Sequence, residues 1–224
     1  MVIRIEQVLS REAALALAER ISAAEWIDGH ATSGPGAALA KRNRQLPEAS
    51  EAARAARAEV QRALAQSDAF LSAALPHAIY PPLFNRYGPG DRFDIHVDNA
   101  VRVEPATGTQ MRADMSATLF LSDDYDGGVL TIETPGGEQA VKFAAGDMVL
   151  YPSTTLHRVT EVTRGERIAA FFWVQSLVRD GTMRETLWDL DRATQALAAE
   201  RGKTDPQVLR LAKVYHNLVR ASAL

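Results

Sequence analysis

Residues 147–176 read DMVLYPSTTLHRVTEVTRGERIAAFFWVQS, and this stretch decides the fold class. It contains three short runs of β-branched and aromatic residues, at 147–151, 157–163 and 166–176, with turn-forming residues between them. Short apolar runs broken by Pro, Gly and Ser are typical of antiparallel sandwiches and barrels. The stretch therefore predicts three antiparallel strands.

The same pattern continues towards the N-terminus as far as Ala78. Five further strands are predicted there, at 79–87, 93–98, 116–122, 128–133 and 138–143. Glycine pairs at 127–128 and 136–137 tolerate positive φ, so each can turn a hairpin between neighbouring strands. Eight strands over 78–178 suit a double-stranded β-helix, or jelly roll.

Helical patterns flank this β core on both sides. Ser10 can cap a helix over 11–23, and an alanine-rich helix follows at about 47–66, so 1–77 is predicted to be a helical region integral to the core. Turn-formers at 28–36 and a basic cluster behind them predict a loop. Residues 179–224 predict two helices that form a small C-terminal appendage. The fold class is therefore mainly β with flanking helices (α+β).

The bulk properties limit the possible functions. The 224 residues are 46% hydrophobic, the formal net charge is −3 and the pI is about 6.0, so no nucleic-acid or membrane partner is expected. No apolar run is long enough to span a bilayer and no signal-peptide layout is present, so a cytoplasmic location is expected. The chain has no cysteine. A transition metal must then be held by nitrogen and oxygen atoms.

A candidate metal site arises from His96-Val97-Asp98, because residues i and i+2 of a strand point to the same face. His157 begins a late strand that a jelly roll can bring over the early one. Two imidazoles and one carboxylate leave coordination positions open, as non-haem iron(II) chemistry with O2 requires. Arg167 follows on the next strand and can grip the distal carboxylate of a bidentate keto acid. Tyr87 is a further candidate for binding that acid, and no catalytic residue is predicted beyond the metal site.

Several structural alternatives stay open at this point. His96 and Asp98 alone could be a surface pair, Arg167 could pair with Glu161 or Glu166 on the surface, and Tyr87 could be a core residue. Other polar groups have two interpretations each. The basic run 41–44 could be a solvated face or a substrate contact. Arg112 and Asp114 could be a structural pair or part of the pocket mouth. The acidic run 123–126 could be a solvated turn or a calcium site.

The motifs together resemble the PKHD-type hydroxylases, bacterial relatives of prolyl 4-hydroxylase. The resemblance covers nearly the whole chain. It rests on Asn85-Arg86-Tyr87, His96-x-Asp98, residues 116–122, Tyr125-Asp126-Gly127-Gly128, Tyr151-Pro152-Ser153, His157, Arg167, residues 172–176, Asp189-Leu190-Asp191 and residues 215–218.

The resemblance implies a dioxygenase that binds Fe(II) at His96, Asp98 and His157 and 2-oxoglutarate at Arg167, with L-ascorbate as the reductant that keeps the iron reduced. It implies hydroxylation of a small-molecule or peptidyl substrate by O2, coupled to decarboxylation of 2-oxoglutarate to succinate, and a link with iron uptake. A homodimer is left open. Two other functions also stay open: a cupin-like, metal-dependent non-redox enzyme, and a non-catalytic metal- or ligand-binding module.

Overall fold

The computed structural model describes residues 1–29, 41–104 and 107–224. Most of the predicted loop at 28–36 therefore lies outside the described residues. The described part contains five helices: α1 (Arg11–Ser22), α2 (Glu51–Gln66), α3 (Asp68–Ala74), α4 (Gly181–Arg201) and α5 (Pro206–Ser222). Ser10 and Ser50 cap α1 and α2 by accepting hydrogen bonds from the backbone N–H groups of Ala13 and Ala53, both at 3.1 Å.

The strands of the described residues are mostly short. In chain order they are β1 (Ile3–Ile5), β2 (Ile27–Asp28), β3 (Lys41–Arg42), β4 (Arg44–Gln45), β5 (Pro76–Ile79), β6 (Leu83–Tyr87), β7 (Arg92–His96), β8 (Val101–Val103), β9 (Gln110–Arg112), β10 (Met115–Phe120), β11 (Tyr125–Gly127), β12 (Leu130–Thr134), β13 (Gly137–Val141), β14 (Met148–Pro152), β15 (His157–Val159), β16 (Val162–Gly165) and β17 (Arg167–Ser176).

Two antiparallel sheets form the β core. The larger sheet has the order β1-β14-β10-β17-β6-β4-β2, with β5 also paired to β17. The smaller sheet has the order β13-β12-β15-β7-β3. Two further sheets have two strands each and are formed by β11 with β16 and by β8 with β9. This antiparallel arrangement with flanking helices is the expected double-stranded β-helix, so the predicted fold class is confirmed.

Each face of the larger sheet has its own apolar core. One face packs against α1, α2 and α3 in a cluster that includes Leu17, Val60, Phe70 and Phe172, all at most 1% exposed. A second cluster contains the buried residues Tyr87, Phe120, Leu130, Ile132, Val141, Val149, Tyr151, Val159 and Val162, which come from both sheets. The helices thus support the larger sheet from outside, and the space between the sheets is left for a site.

Two of the predicted strands are each divided in two. The predicted strand 79–87 is β5 and β6, because Pro81 and Pro82 lack the N–H that a ladder needs. The predicted strand 157–163 is β15 and β16, since β15 pairs with β12 and β7 whereas β16 pairs with β11. The helix α3 and the short strands β8, β9 and β11 were not predicted, because three to seven residues carry too little periodicity.

The N-terminal region contributes strands as well as helices. Its strands β1, β2 and β4 join the larger sheet, and β3 pairs with β7 of the smaller sheet. The prediction that the basic cluster at 41–44 belongs to a loop was therefore wrong. A two-residue strand is too short to show an alternation of apolar and polar residues in the sequence. Here β3 and β4 are ordered by pairing with β7 and β6.

The C-terminal helices α4 and α5 pack on each other and on the N-terminal helices. Leu187 of α4 is fully buried, and Ser72 of α3 donates a hydrogen bond of 2.7 Å to the carboxylate of Asp191. Among the described residues, no helix combines the length and the apolarity needed to cross a bilayer. The predicted boundaries at 77/78 and 178/179 stay a prediction.

Gly146 offers a test of how the N-terminal segment packs on the β core, because its φ is +96° and an added Cβ would lie 2.2 Å from the carbonyl oxygen of Leu9. We expect Gly146→Ala to lower the free energy of unfolding by about 2 kcal/mol or more, measured by urea denaturation. Gly136→Ala is the matched control, since its nearest neighbour would be the Thr134 hydroxyl at 3.8 Å. Equal denaturation midpoints for the two variants would contradict this account.

Candidate metal centre and its cavity

A cavity of about 530 Å³ opens inside the β core and contains the predicted site residues. Residues of both sheets line it, and they include His96, Asp98, His157, Arg167 and Tyr87. A space of this size holds a small organic molecule. The residues singled out from the sequence as chemically important therefore share one cavity.

The two histidines face each other across a strand pair. His96 ends β7, His157 begins β15, and the register of the two strands places them directly opposite each other. Asp98 follows two residues after His96, and its Oδ2 lies 3.7 Å from Nε2 of His157. The possible ligand atoms of the three residues all lie within 4.8 Å of one another. The strand register thus brings together the residues that the sequence separates by about sixty positions.

Backbone carbonyls orient both imidazole rings. Nδ1 of His96 is 2.8 Å from the carbonyl oxygen of Asp94, and Nδ1 of His157 is 3.0 Å from that of Thr155. A carbonyl oxygen only accepts, so each Nδ1 carries a proton and Nε2 is the nitrogen that points away from the backbone contact. Burial, together with the neighbouring His157, lowers the pKa of His96 to about 4, so this ring is neutral at pH 7. A neutral ring with Nδ1 protonated can ligate a metal through Nε2.

Ser116 of the larger sheet holds the carboxylate of Asp98, and Ser153 contacts Ser116 in turn. The hydroxyl of Ser116 on β10 donates a hydrogen bond of 2.6 Å to Oδ2 of Asp98, and its own oxygen lies 2.8 Å from that of Ser153. The sequence analysis assigned these serines no role. The signal for them was a polar residue on the apolar strand β10, with Thr118 following two positions later on the same face.

We expect Ser116→Ala to weaken divalent-metal affinity by about 10- to 100-fold, because the carboxylate loses the group that orients it. The apparent affinity is measured by titrating the apoprotein with Fe(II) under anaerobic conditions. Ser153→Ala serves as the comparison and should cause a smaller loss, since the bond from Ser116 to Asp98 remains. A Ser116→Ala variant with unchanged metal affinity would show that this hydrogen bond is incidental.

Arg167 is a fully buried cation at the start of β17, with 1% of its surface exposed. Its Nη1 lies 3.4 Å from the amide oxygen of Asn85, its Nε has no hydrogen-bond partner, and no carboxylate of the described residues forms an ion pair with it. The alternative of a surface pair is excluded, because Glu166 pairs with Arg86 instead. A buried guanidinium without an anion is costly, so the site is suited to a ligand that brings a carboxylate.

Tyr87 lies beside this guanidinium, with its ring centroid 5.4 Å from the Arg167 Cζ. Tyr87 is directly opposite Arg167 in the β6-β17 register. Burial raises the pKa of Tyr87 to about 12, so its phenol keeps the proton and remains a hydrogen-bond donor. Tyr87 is at once a core residue of the inner cluster and part of the cavity wall, so the two interpretations of this residue are compatible.

The other polar residues for which two interpretations were open form structural ion pairs. The Arg112 guanidinium donates to both carboxylate oxygens of Asp114, at 2.6 and 2.9 Å. In the acidic run, Asp123 pairs with Arg11, and Arg164 pairs with Asp124 and Asp126. The only cluster of His and acidic residues in the described ranges with metal-ligand geometry is the set of His96, Asp98 and His157.

The basic run 41–44 divides between the surface and the cavity. Lys41 is 6% exposed and lines the cavity, with its Nζ 3.2 Å from the side-chain oxygen of Gln45. Arg42 points outwards, 3.8 Å from Asp91. The solvated-face interpretation therefore holds for Arg42, and substrate contact by this run stays a prediction. Arg102, to which the sequence analysis assigned no role, also lines the cavity.

Comparison with known families agrees with this geometry. Residues 82–175 match the model of the 2OG-Fe(II) oxygenase superfamily, and residues 181–223 match the model of the PKHD-type hydroxylase C-terminal domain. A PKHD-type hydroxylase of Rhizorhabdus wittichii is 54% identical over 222 residues, covering 98% of each chain. One of Methylobacillus flagellatus has the same identity and coverage.

Among solved structures, a Pseudomonas putida prolyl-4-hydroxylase is similar with a TM-score of 0.54 and 23% sequence identity. The match covers 78% of this chain and 92% of that chain. At this identity the likeness shows a shared fold. The evidence on function comes from the two family models and from the relatives that align over nearly the full length of the chain.

Proposed function

The chain belongs to the PKHD-type hydroxylases of the 2OG-Fe(II) oxygenase superfamily, and on that premise we propose that His96, Asp98 and His157 hold its Fe(II) and that Arg167 anchors 2-oxoglutarate. When bound, the iron and the keto acid supply oxidative decarboxylation to succinate and CO2, coupled to insertion of one oxygen atom of O2 into a C–H bond of the substrate. A non-redox cupin and a binding module do not agree with this membership.

One observation carries the residue assignment. A cluster of three side chains with metal-ligand geometry and a buried guanidinium without a carboxylate partner among the described residues line the same cavity. The three ligands leave coordination positions open to a chelating acid and O2. The guanidinium then provides two parallel N–H groups for the far carboxylate of that acid.

The chain's own residues orient these groups and exclude water. The carbonyls of Asp94 and Thr155 fix the two imidazole rings, and Ser116 fixes the carboxylate of Asp98. The rings of Tyr87 and Phe120 flank the guanidinium, with Cζ 5.4 Å from each centroid, and keep its surroundings apolar. An apolar surround strengthens the charge-assisted bond to a carboxylate. Tyr87, as a protonated phenol, adds a donor beside it.

Ascorbate as the reductant and a small-molecule or peptidyl substrate remain parts of the proposal that the family alone suggests. A homodimer through the C-terminal helices also stays a proposal. Nothing in the site's geometry supports a link with iron uptake.

The test is anaerobic addition of Fe(II) and 2-oxoglutarate to the apoprotein, followed by visible spectroscopy. The proposal predicts the weak charge-transfer band of an iron-chelated keto acid, which disappears on exposure to O2 as succinate forms. Folded protein that binds iron but shows no band would contradict the assignment of the 2-oxoglutarate site. Succinate formation without any band would place the keto acid elsewhere than on the metal.

A further inference from the structure

The cavity holds more positive charge than the proposed cofactors can balance. Among the described residues that line it are three basic side chains, Lys41, Arg102 and Arg167, whereas Asp98 is the only carboxylate. Iron(II) on Asp98 and a doubly charged keto acid on Arg167 together sum to zero. Lys41 and Arg102 would then remain as two uncompensated positive charges in the same cavity.

Arg102 lies away from the 2-oxoglutarate anchor. Arg167, Phe171 and Trp173 are on one face of β17, because each differs from the next by an even number of residues. The Arg102 Cζ lies 3.8 Å from the ring centroid of Trp173. Six residues of strand separate Trp173 from Arg167 by about 20 Å, at roughly 3.3 Å per residue. A five-carbon acid, roughly 7 Å long from its bond lengths, cannot reach both.

Lys41 occupies the intermediate position, on the side of the metal ligands. Its Nζ is 5.5 Å from the ring centroid of Phe93 and 5.8 Å from that of Phe171. Phe93 in turn stacks on His96, with centroids 3.6 Å apart. The Phe171 and Trp173 centroids are 5.7 Å apart. Lys41 and Arg102 therefore flank one aromatic wall that extends from the metal ligands away from Arg167.

The environment of both cations favours an additional anion. Burial lowers the pKa of Lys41 to about 8, and the positive charge of Arg102 acts in the same direction. The described residues give neither Lys41 nor Arg102 an ion pair with a carboxylate. An anionic group placed between them would stabilise both charges.

We propose that the substrate hydroxylated by this chain is an organic anion, carrying a carboxylate or phosphate group that Lys41 and Arg102 bind while its carbon skeleton packs on Phe171 and Trp173. This inference rests on the proposed function, since it places the substrate opposite the keto acid in the same cavity. The competing explanation is structural: the two cations only support the aromatic rings through cation–π contacts. The two explanations differ in whether a free anion binds.

The experiment uses full-length protein loaded anaerobically with Fe(II) and saturating 2-oxoglutarate. A panel of N-acetyl amino acids and the matching primary amides is titrated by calorimetry, with butyl phosphate as a separate arm, while the charge-transfer band is recorded. We expect at least one acid to bind at least about tenfold more tightly than its amide, with the band retained. Butyl phosphate binding more tightly than every acid would support the anion site and assign it to phosphate.

Variants assign the binding to the two cations. Lys41→Met and Arg102→Met should each weaken binding of the preferred anion by about tenfold or more, whereas Lys41→Arg should retain the preference because it keeps the charge. Lys213→Met on α5 is the charge-matched control, since Lys213 is exposed and outside this cavity. Urea denaturation and the intact band show that each variant is folded.

The failures of the two proposals are distinguishable. If no band forms before any probe is added, the function proposed above fails. If the band forms but acids bind no better than amides and butyl phosphate does not bind, the anionic substrate is overturned. Loss of the band on addition of an acid would also overturn it, because the acid would then compete at Arg167.

Discussion

Replacing His157 by alanine should reduce the iron bound at equilibrium and lower succinate formation from 2-oxoglutarate by more than about a hundredfold. Loss of a group that only orients a ligand costs about 10- to 100-fold, and loss of the ligand itself should exceed that. The ring of His157 is 5% exposed and lies 4.2 Å, between centroids, from that of His96. Its removal leaves one imidazole and one carboxylate, too few for tight binding of Fe(II).

The measurement is iron content after dialysis against a fixed free Fe(II) concentration, together with succinate formation under O2. His77→Ala is the matched control, because His77 is exposed and outside the cavity. A His157→Ala protein that is folded and retains its iron would remove this residue from the site. Aspartate at position 157 should recover part of the affinity, since it restores a third ligand.

Replacing Arg167 by methionine should leave iron binding intact and weaken 2-oxoglutarate binding by about 30- to 1,000-fold. This range corresponds to roughly 2 to 4 kcal/mol, the cost of removing one partner of a buried, hydrogen-bonded charge pair. Affinity is measured from the charge-transfer band as 2-oxoglutarate is titrated into Fe(II)-loaded protein. Arg86→Met is the control on the neighbouring strand, because Arg86 pairs with Glu166.

The same substitution should have an unusual effect on stability. Without a ligand, Arg167 has an unsatisfied Nε and no carboxylate partner among the described residues, so methionine should not lower the free energy of unfolding of the apoprotein and can raise it. Addition of Fe(II) and 2-oxoglutarate should raise the free energy of unfolding of the wild-type protein. In the variant, most of the increase caused by 2-oxoglutarate should be absent. Simultaneous loss of iron and keto acid in the variant would argue against an anchor specific to the acid.

The residues that the sequence predicted best are those whose geometry is local. His96 and Asp98 share a face because a strand alternates, and the glycine turn at 136–137 forms the predicted hairpin between β12 and β13. The hairpin predicted at 127–128 was wrong, because β11 pairs with β16 and not with β12. The position of His157 opposite His96 needed the assumption of a jelly roll, which the eight predicted strands supplied. The main architecture could therefore be predicted from periodicity, turns and motif spacing together.

The residues that were missed depend on contacts between distant segments. Ser116 acts on Asp98 only because β10 of one sheet faces the end of β7 of the other. Lys41 turns into the cavity through a two-residue strand, and Arg102 does so by stacking on Trp173. Chain periodicity carries no information on such contacts, so they required the folded structure.

The hydrogen bond from Ser116 to Asp98 joins the two sheets at the metal ligands. The three candidate ligands lie on β7, on β15 and just after β7, and this bond orients the carboxylate among them from the larger sheet. Metal affinity and the contact between the sheets are therefore linked by mass action: separating the sheets should weaken metal binding, and bound metal should stabilise the contact. The chain's resistance to unfolding should then rise with the free concentration of the metal, which makes its folded lifetime a function of metal supply.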